Sequence, residues 1–295
     1  MPDAEKTVSP AATDDREVSS TDPPAPAGDP VVARLRAAGC VFAEDEARLL
    51  RAAARNPDEL TDMVERRAAG LPLEHIVGWA EFHGLRIAVE PGVFVPRRRT
   101  EFLVDRAIAL ARPGAVVLDL CCGSGAVGAA VAAAVPGVEL HAVDIDAAAV
   151  RCARRNLPAG HVHLGDLYRP LPAALRGRVD VLVVIAPYVP TSSIRLMPPE
   201  AREHEPRSAL DGGADGLDVL RRVLAEAATW LRPGGHLLTE TGADQLPAAL
   251  SEFARHGLAA RPATAADGSA TILVGRSVPS PDAASTGAAG RPWDR

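Results

Sequence analysis

Hydrophobic and polar positions follow two different periods in two parts of this chain. Between residues 31 and 70, apolar residues recur at helical spacing, which predicts two or three short helices. From residue 101 onward, short apolar runs alternate with helical periods. Strands are predicted at 115–121, 138–143, 161–164, 180–186, 235–240, 258–263 and 270–275. Helices are predicted at 101–111, 125–134, 146–156, 215–231 and 244–256.

Alternating strands and helices predict an α/β fold, in which helices cover both faces of a mostly parallel sheet. A turn joins the last two strands, which predicts an antiparallel edge on a seven-stranded sheet. In such sheets, ligands bind beyond the carboxyl ends of the strands, near the point where the strand order reverses. The residues directly after each strand are therefore the first candidates for a functional site.

Composition divides the chain into five predicted segments. Residues 1–28 and 277–295 are rich in Pro, Ser, Thr, Asp and Ala without periodicity, and we expect both to be disordered. Residues 29–75 are predicted to form a small helical domain. Residues 76–100, punctuated by Gly and Pro, are predicted to form a linker or hairpin. The remaining segment, 101–276, is the predicted α/β domain.

Charge and hydropathy exclude several classes of partner. The net charge is −6, and the longest basic run, residues 97–99, is expected to be a solvated surface, so we expect no direct contact with nucleic acid. No apolar stretch approaches the ~18 residues of a membrane helix, and no secretory signal begins the chain. We therefore expect a cytoplasmic protein without a membrane partner.

Four cysteines are present, and their spacing fits no zinc site. We expect reduced thiols and no metal. A catalytic cysteine would need an activating neighbour, and the sequence offers none. The residues in question are Cys40, Cys121, Cys122 and Cys152.

Residues 116–128 carry the strongest functional signal, Val-Val-Leu-Asp-Leu-Cys-Cys-Gly-Ser-Gly-Ala-Val-Gly. An apolar strand reaches Asp119, a loop with Gly123 and Gly125 follows, and an alanine-rich helix then begins. Glycine lets the backbone turn sharply and approach a ligand closely, and the helix N-terminus offers free N–H groups. This order is typical of a site for a nucleotide-like cofactor.

Acidic residues at the next two strand ends strengthen that interpretation. Asp144 ends the second strand, where a carboxylate can accept both hydrogens of a ribose diol. Asp166, followed by Leu167, comes after the third strand, where a carboxylate can meet an adenine amino group. Each acid alone is also explained as a helix cap or a turn residue. The coincidence of a glycine loop and two strand-end acids favours the cofactor site.

The loop by itself leaves two cofactors open. Gly123, Gly125 and Gly128 fit the G-x-G-x-x-G spacing of dinucleotide sites, where the glycines pack against a pyrophosphate. The stretch that begins at Asp119 also resembles the D-x-G-x-G-x-G signature of class I S-adenosylmethionine (AdoMet) methyltransferases, with Cys121 in place of the first glycine. AdoMet has no pyrophosphate, and the strand-end acid suits its cationic amino-acid moiety. This resemblance implies a Rossmann-like fold and AdoMet held by Asp119, Cys121, Gly123, Ser124, Gly125, Asp144, Asp166, Leu167 and Ile185.

The acceptor side of the predicted site follows the fourth strand, at Ile185-Ala186-Pro187-Tyr188. This segment resembles the N-P-P-Y motif of methyltransferases that act on exocyclic nitrogens. In that motif the Asn side chain and the carbonyl of the following Pro hold the acceptor nitrogen, and the Tyr ring packs beside it. The resemblance therefore implies that Ile185, Ala186, Pro187 and Tyr188 form the catalytic set.

Flanking segments narrow the resemblance to one family. Residues 91–101 are similar to a linker that ends P-R-P-x-T-E, and residues 205–217 match an E-P…A-L…G-G-x-D-G-L segment. Both are typical of the protein-(glutamine-N5) methyltransferases, the HemK/PrmC family, and the resemblance extends from about residue 60 to 275. It implies methylation of the glutamine side-chain amide in the G-G-Q loop of class I peptide chain release factors, a step in translation termination. It also implies that residues 29–75 dock the substrate.

The chain departs from that family at the acceptor motif. Ile185 stands where the motif has Asn, and Ala186 replaces the first Pro, although its carbonyl is retained. Isoleucine neither donates nor accepts a hydrogen bond, and loss of such a partner costs about 1–3 kcal/mol. Three interpretations stay open: a release factor glutamine methyltransferase, a methyltransferase for another amine or small molecule, and an AdoMet-binding protein that has lost transfer.

Overall fold

The structure is a computed structural model that describes residues 28–278. The predictions for residues 1–27 and 279–295 lie outside the described residues. Within the described range, no helix is long and apolar enough to cross a membrane.

Four helices form the first part of the described chain. Asp29 caps the first helix by accepting a hydrogen bond from the Val31 N–H at 2.9 Å, and Asn56 caps the third through the Glu59 N–H at 2.8 Å. The apolar faces of these helices share a core built on residues such as Leu35. Their bounds are α1, Pro30–Ala37; α2, Ala43–Ala53; α3, Pro57–Ala68; and α4, Leu73–Val77.

A two-stranded hairpin follows, with β1 at Trp79–Phe82 and β2 at Leu85–Ala88. His83 and Gly84 form its turn with φ angles of 50° and 71°. Positive φ at both central residues gives the backbone twist that two-residue hairpins favour. That residues 76–100 form a separate segment between two domains stays a prediction.

A seven-stranded sheet with flanking helices forms the rest, and it confirms the predicted α/β fold with an antiparallel edge. The strand order is β5-β4-β3-β6-β7-β9-β8, so the order reverses between β3 and β6. The strands are β3, Val116–Leu120; β4, Glu139–Asp144; β5, His161–Leu164; β6, Val179–Val184; β7, Leu231–Glu240; β8, Leu258–Thr264; and β9, Thr271–Ser277. The helices are α5, Glu101–Leu110; α6, Ala126–Ala134; α7, Ala147–Asn156; α8, Pro199–His204; α9, Asp218–Trp230; and α10, Leu246–Arg255.

Both faces of the sheet are buried because its central strands carry apolar residues at successive positions. Leu118 and Leu182 pair across β3 and β6 and pack towards Leu224 of α9. The alternate residues, such as Val117, face the other side and pack towards Val131 of α6. The carboxyl ends of β3 and β6 are thus held rigidly at the edge where a ligand is expected.

One region without predicted elements lies between β6 and α9. Residues Thr191–Leu196 form a 3-10 helix, and α8 follows it. Prolines begin both segments, and neither is long enough to show a helical period. The helix predicted at 215–231 begins only at Asp218 because glycines in the preceding segment adopt positive φ angles.

The amino-terminal helices are joined to this region by one arginine. Arg67 of α3 donates from Nε to Glu46 of α2 at 2.6 Å and from Nη1 to Glu200 of α8 at 3.1 Å. Arg67 and Glu46 are both largely buried, with side-chain exposures of 12% and 11%. This bridge fixes α2 and α3 against the segment that follows the acceptor motif.

Candidate active site

A cavity of about 320 Å³ lies at the carboxyl ends of the parallel strands, where the strand order reverses. Its volume is in the range of sites for small ligands and cofactors. Of the predicted site residues, Gly125 does not line it. The others are brought together along its wall: Asp119, Cys121, Gly123, Ser124, Asp144, Asp166, Leu167, Ile185, Ala186, Pro187 and Tyr188.

Asp119 is buried at the end of β3, with 1% of its surface exposed. Its Oδ2 accepts a hydrogen bond from the Gly128 N–H in the first turn of α6 at 3.0 Å. Burial raises the pKa of Asp119 to about 7, because the charged form is poorly solvated there. A cation beside this carboxyl group would therefore be strongly stabilised.

Asp144 is held in a fixed orientation at the end of β4. Its Oδ2 accepts from the Gly123 N–H and its Oδ1 from the Asp146 N–H, both at 2.8 Å. Burial raises its pKa, against the effect of these backbone donors. Asp144 lines the cavity, and a carboxylate oxygen with one donor can accept a second hydrogen bond, which suits the two hydroxyls of a ribose.

The glycine loop has backbone geometry that side chains resist. Gly125 has φ of 77°, and a Cβ there would lie 3.0 Å from the Leu157 Cδ1. Cys121, in the position of the signature's first glycine, has φ of 57°. A left-handed conformation costs a non-glycine residue about 1–2 kcal/mol. The loop therefore keeps its sharp turn at Cys121 at a cost in backbone strain.

The thiols near the loop are not poised as nucleophiles. Burial raises the pKa of the Cys121 thiol and that of the Cys122 thiol, with Asp144 and Asp119 adding to the effect. All four cysteines are free. Among residues 28–278, no group of His, Cys, Asp and Glu side chains could hold a metal ion.

Asp166 and Leu167 form the wall beyond β5. Nη2 of Arg222, from α9, donates to both Asp166 oxygens at 2.7 and 2.6 Å. Leu167 is buried and has φ of 49°. Arg222 was missed by sequence reasoning, because nothing in the sequence shows that the middle of α9 faces this strand end.

The arrangement fits AdoMet better than a dinucleotide. The carboxyl groups of Asp119, Asp144, Asp146 and Asp166 line the cavity, and the buried Asp119 favours a cationic ligand over a pyrophosphate. The N–H of Gly128, third glycine of the dinucleotide pattern, is occupied by Asp119 and is not free for a phosphate. The fixed Asp144 matches a ribose. Which atoms contact the cofactor stays a prediction.

The acceptor motif is held in shape by a glycine segment before α9. A Cβ on Gly212 would lie 2.6 Å from the Pro187 carbonyl oxygen, and one on Gly216 would lie 2.2 Å from the Tyr188 carbonyl oxygen. Gln245 also donates from Nε2 to the Tyr188 carbonyl at 2.8 Å. The glycines of the G-G-x-D-G-L segment are thus needed for close backbone approach.

The basic run at residues 97–99 is partly exposed, as expected of a surface, with Arg98 and Arg99 exposed, but two of its members also have partners within the fold. Arg97 donates to both oxygens of Glu205 at 2.6 and 2.5 Å, and Arg99 donates to the Tyr188 hydroxyl at 2.6 Å. Both arginines line the cavity. Burial raises the pKa of Tyr188, and Arg99 opposes that effect. Only the fold brings these partners, distant in sequence, to the run.

Glu240 is a further cavity residue that sequence reasoning missed. It ends β7, it is 7% exposed, and it lines the same cavity. Within residues 28–278 its Oε1 has no hydrogen-bond partner. Its position at the end of an apolar strand, like that of Asp119, could have indicated it, but Glu240 belongs to no recognised motif.

Asn156 links the glycine loop to the hairpin. Its Nδ2 donates to the Ser124 carbonyl at 2.8 Å and to the Ala88 carbonyl at 2.9 Å, while its Oδ1 accepts from the Ala88 N–H at 2.9 Å. One amide at the end of α7 therefore satisfies both backbone groups of a β2 residue and one of the loop.

Known proteins share both sequence and fold with this chain. The family model "Methyltransferase small domain" matches residues 84–193. A release factor glutamine methyltransferase of Geobacter sulfurreducens is 39% identical over 209 residues, which cover 68% of this chain and 72% of the relative. A 4-amino-L-phenylalanine/4-methylamino-L-phenylalanine methyltransferase of Streptomyces pristinaespiralis is 38% identical over 229 residues, covering 74% and 78%.

Solved structures support the fold alone. A methyltransferase from Pyrococcus furiosus matches with a TM-score of 0.51 at 19% identity, and the match covers 66% of this chain and 90% of that one. The identity and coverage of the release factor glutamine methyltransferase relatives show the family of this chain. The chain is an AdoMet-dependent methyltransferase and belongs to the release factor glutamine methyltransferase family.

Proposed function

We propose that this protein methylates the side-chain amide nitrogen of the glutamine in the G-G-Q loop of a class I peptide chain release factor. The observation that carries the proposal is the backbone of the acceptor motif, which is fixed beside the cofactor end of the cavity. No hydrogen bond from residues 28–278 reaches the Ala186 carbonyl, so it is free to accept an N–H of the substrate amide. A cytoplasmic location is part of this proposal, since release factors act there.

An amide nitrogen is a poor nucleophile because its lone pair is delocalised, so orientation supplies most of the catalysis. AdoMet, when bound, supplies an electrophilic methyl group on sulfur. The Ala186 carbonyl would orient the amide, and the Tyr188 ring would pack beside it, with Arg99 donating to its hydroxyl and Gln245 donating to the Tyr188 backbone carbonyl. Proline at 187 limits backbone motion at this point. The motif thus positions the acceptor with backbone groups and an aromatic ring.

The helices at residues 29–75 are proposed to dock the protein substrate. They are fixed by Arg67 to α8, which follows the acceptor motif in sequence. Val41 and Phe42, between α1 and α2, are 83% and 69% exposed. Exposed apolar side chains are suited to contact with a partner protein.

A transfer assay tests this function. Purified enzyme, a purified class I release factor and AdoMet carrying a labelled methyl group should give label on the G-G-Q glutamine, mapped by mass spectrometry. A release factor with that glutamine replaced by alanine is the matched control and should remain unlabelled. No label at equimolar enzyme and release factor would contradict the proposal.

The same assay separates the alternatives, because Ile185 removes a polar partner that the motif usually supplies. Label on 4-amino-L-phenylalanine, with none on the release factor, would instead indicate a small-molecule amine acceptor. AdoMet binding in a calorimeter without transfer to either acceptor would indicate a binding protein that has lost catalysis.

A further inference from the structure

Glu240 is a buried carboxyl group with an unused hydrogen-bonding atom. It is 7% exposed, and within residues 28–278 its Oε1 has no partner. Leaving a buried polar atom without a partner costs about 1–3 kcal/mol. Such groups are rare in native structures, and a ligand that completes the hydrogen bond is one explanation. Glu240 lines the cavity, so a bound ligand can reach it.

Strand register places Glu240 beside the altered position of the acceptor motif. The parallel ladder pairs Val184 of β6 with Thr239 of β7. The next residues are Ile185, directly after the end of β6, and Glu240, the last residue of β7, so both follow a pair of neighbouring strand positions about 4.8 Å apart. Both residues line the cavity. A polar group is therefore present next to the place where the motif has lost its Asn.

The surroundings of Glu240 leave it available to a substrate. Its Oε2 lies 3.9 Å from the Arg99 Nε, which is longer than a hydrogen bond. Arg99 instead bonds to the Tyr188 hydroxyl at 2.6 Å. Burial raises the pKa of Glu240, while Thr100, Arg99 and Tyr188 oppose that rise. None of these contacts occupies the Oε1 atom.

We propose that the Glu240 Oε1 accepts an N–H of the methyl-accepting group and so takes over part of the role of the Asn that Ile185 replaces. The proposal rests on the proposed function for the identity of the acceptor. Its ligand class is a nitrogen with two N–H bonds, a primary amide or a primary amine. One N–H is held by Glu240 and the other by the Ala186 carbonyl, with the nitrogen directed at the incoming methyl group.

Binding measurements with the cofactor product present test this role without turnover. The probe is a synthetic G-G-Q peptide titrated into enzyme saturated with S-adenosylhomocysteine. Glu240→Ala should weaken peptide binding about tenfold, which corresponds to ~1.4 kcal/mol. Glu240→Gln keeps one acceptor oxygen and should lose less. The control Glu226→Gln, the same chemical change at an exposed position of α9, should leave binding unchanged.

Two further readouts separate a substrate contact from a structural role. AdoMet affinity should change less than about twofold in every variant, because Glu240 lies at the acceptor end. With release factor as substrate, Glu240→Ala should raise KM and lower kcat together, since orientation of the amide is lost. Unchanged peptide binding and kinetics in the Ala variant would overturn the proposal. If that variant does not fold, unchanged behaviour of Glu240→Leu, which keeps much of the side-chain volume but has no acceptor, would overturn it.

Failure of the proposed function has a different signature. If the wild type neither binds the peptide nor methylates the release factor, the titrations are repeated with 4-amino-L-phenylalanine, a primary aromatic amine. Weaker binding of this amine by Glu240→Ala than by the wild type would support the role of Glu240 and reject only the release factor. Equal binding, or no binding of either probe, would overturn the Glu240 proposal.

Discussion

At Ile185 the acceptor motif lacks the hydrogen-bonding side chain that its usual Asn supplies. It is half-buried at the end of β6 and packs against an apolar cluster on one face of the sheet. Its neighbours Ala186, Pro187 and Tyr188 keep the backbone and the ring of the motif. A side chain that restores a donor and an acceptor should therefore improve orientation of the acceptor.

Ile185→Asn should raise kcat/KM for release factor methylation about fivefold, because a new hydrogen bond to a bound amide contributes on the order of 1 kcal/mol. AdoMet affinity is measured by calorimetry alongside, because Ile185 lines the cavity and an effect on the cofactor must be separated from one on the acceptor. Ile185→Val, which shortens the side chain without adding a polar group, is the matched control and should not gain activity. A loss of activity in the Asn variant would indicate an acceptor other than an amide.

Asp119 should make the stability of the ligand-free protein depend on pH. Its pKa is 3.8 in the unfolded chain and about 7 in the folded protein, so the folded state binds more protons between these values. The contribution of Asp119 to the free energy of unfolding should therefore fall from about pH 4 to about pH 7 and then level off. Relative to the wild type, Asp119→Asn should gain stability over this range and be more stable at pH 8, by up to about 4 kcal/mol.

Urea denaturation at a series of pH values measures that effect. A wild-type stability curve that rises between pH 5 and 7, with no difference from Asp119→Asn, would contradict it. Gly128 remains paired in the variant through the amide oxygen, so the fold of the loop is kept. AdoMet binding should weaken in the variant, because the cation loses its carboxylate.

At the scale of elements, the shape of the acceptor motif depends on the glycine segment that precedes α9. Gly216→Ala would place a Cβ 2.2 Å from the Tyr188 carbonyl, at a residue with φ of 79°. The motif must shift, so we expect kcat to fall by about a hundredfold with AdoMet affinity retained. The control Gly257→Ala also has positive φ, 71°, but an open surrounding and no contact with the site. Equal kinetic effects of both substitutions would contradict this.

The strand ends show how far a sequence can predict a site of this kind. Asp119, Asp144 and Asp166 were found because a general rule places ligands at strand ends in α/β sheets. Glu240 obeys the same rule and was missed, since a single acid without a motif carries little signal. Site residues that lie on helices, such as Arg222, could not be predicted, because hydrophobic periodicity does not show which strand end a helix residue faces.

The same limit explains why the partners of the basic run were not predicted. Arg97 and Arg99 have partners at Glu205 and Tyr188, on segments that reach them only after the sheet has formed. Charged residues are usually exposed. The local sequence pattern does not show that a carboxyl group distant in sequence, here Glu205, lies beside the run. In contrast, most strands and helices were predicted within a few residues, because burial on two faces leaves continuous apolar runs.

At the scale of the whole molecule, Arg67 bridges the amino-terminal helices and α8. Arg67→Ala should lower the free energy of unfolding by about 3 kcal/mol, because it leaves the buried Glu46 without its partner. Thermal and urea denaturation measure this. Arg66→Ala, which removes an exposed pair with Asp62 in the same helix turn, should cost less than about 1 kcal/mol. Equal losses for the two variants would show that the bridge contributes little.

Asn156 has a consequence for the thermodynamics of ligand binding. Because its amide fastens the Ser124 carbonyl to the hairpin, the glycine loop is anchored before any ligand arrives. A loop that is already ordered has little conformational freedom to lose, so a larger share of the contact energy becomes affinity. The conformational entropy of the glycine loop is therefore lost when the protein folds, not when a ligand binds. We expect a ligand to bind without rearrangement of this loop.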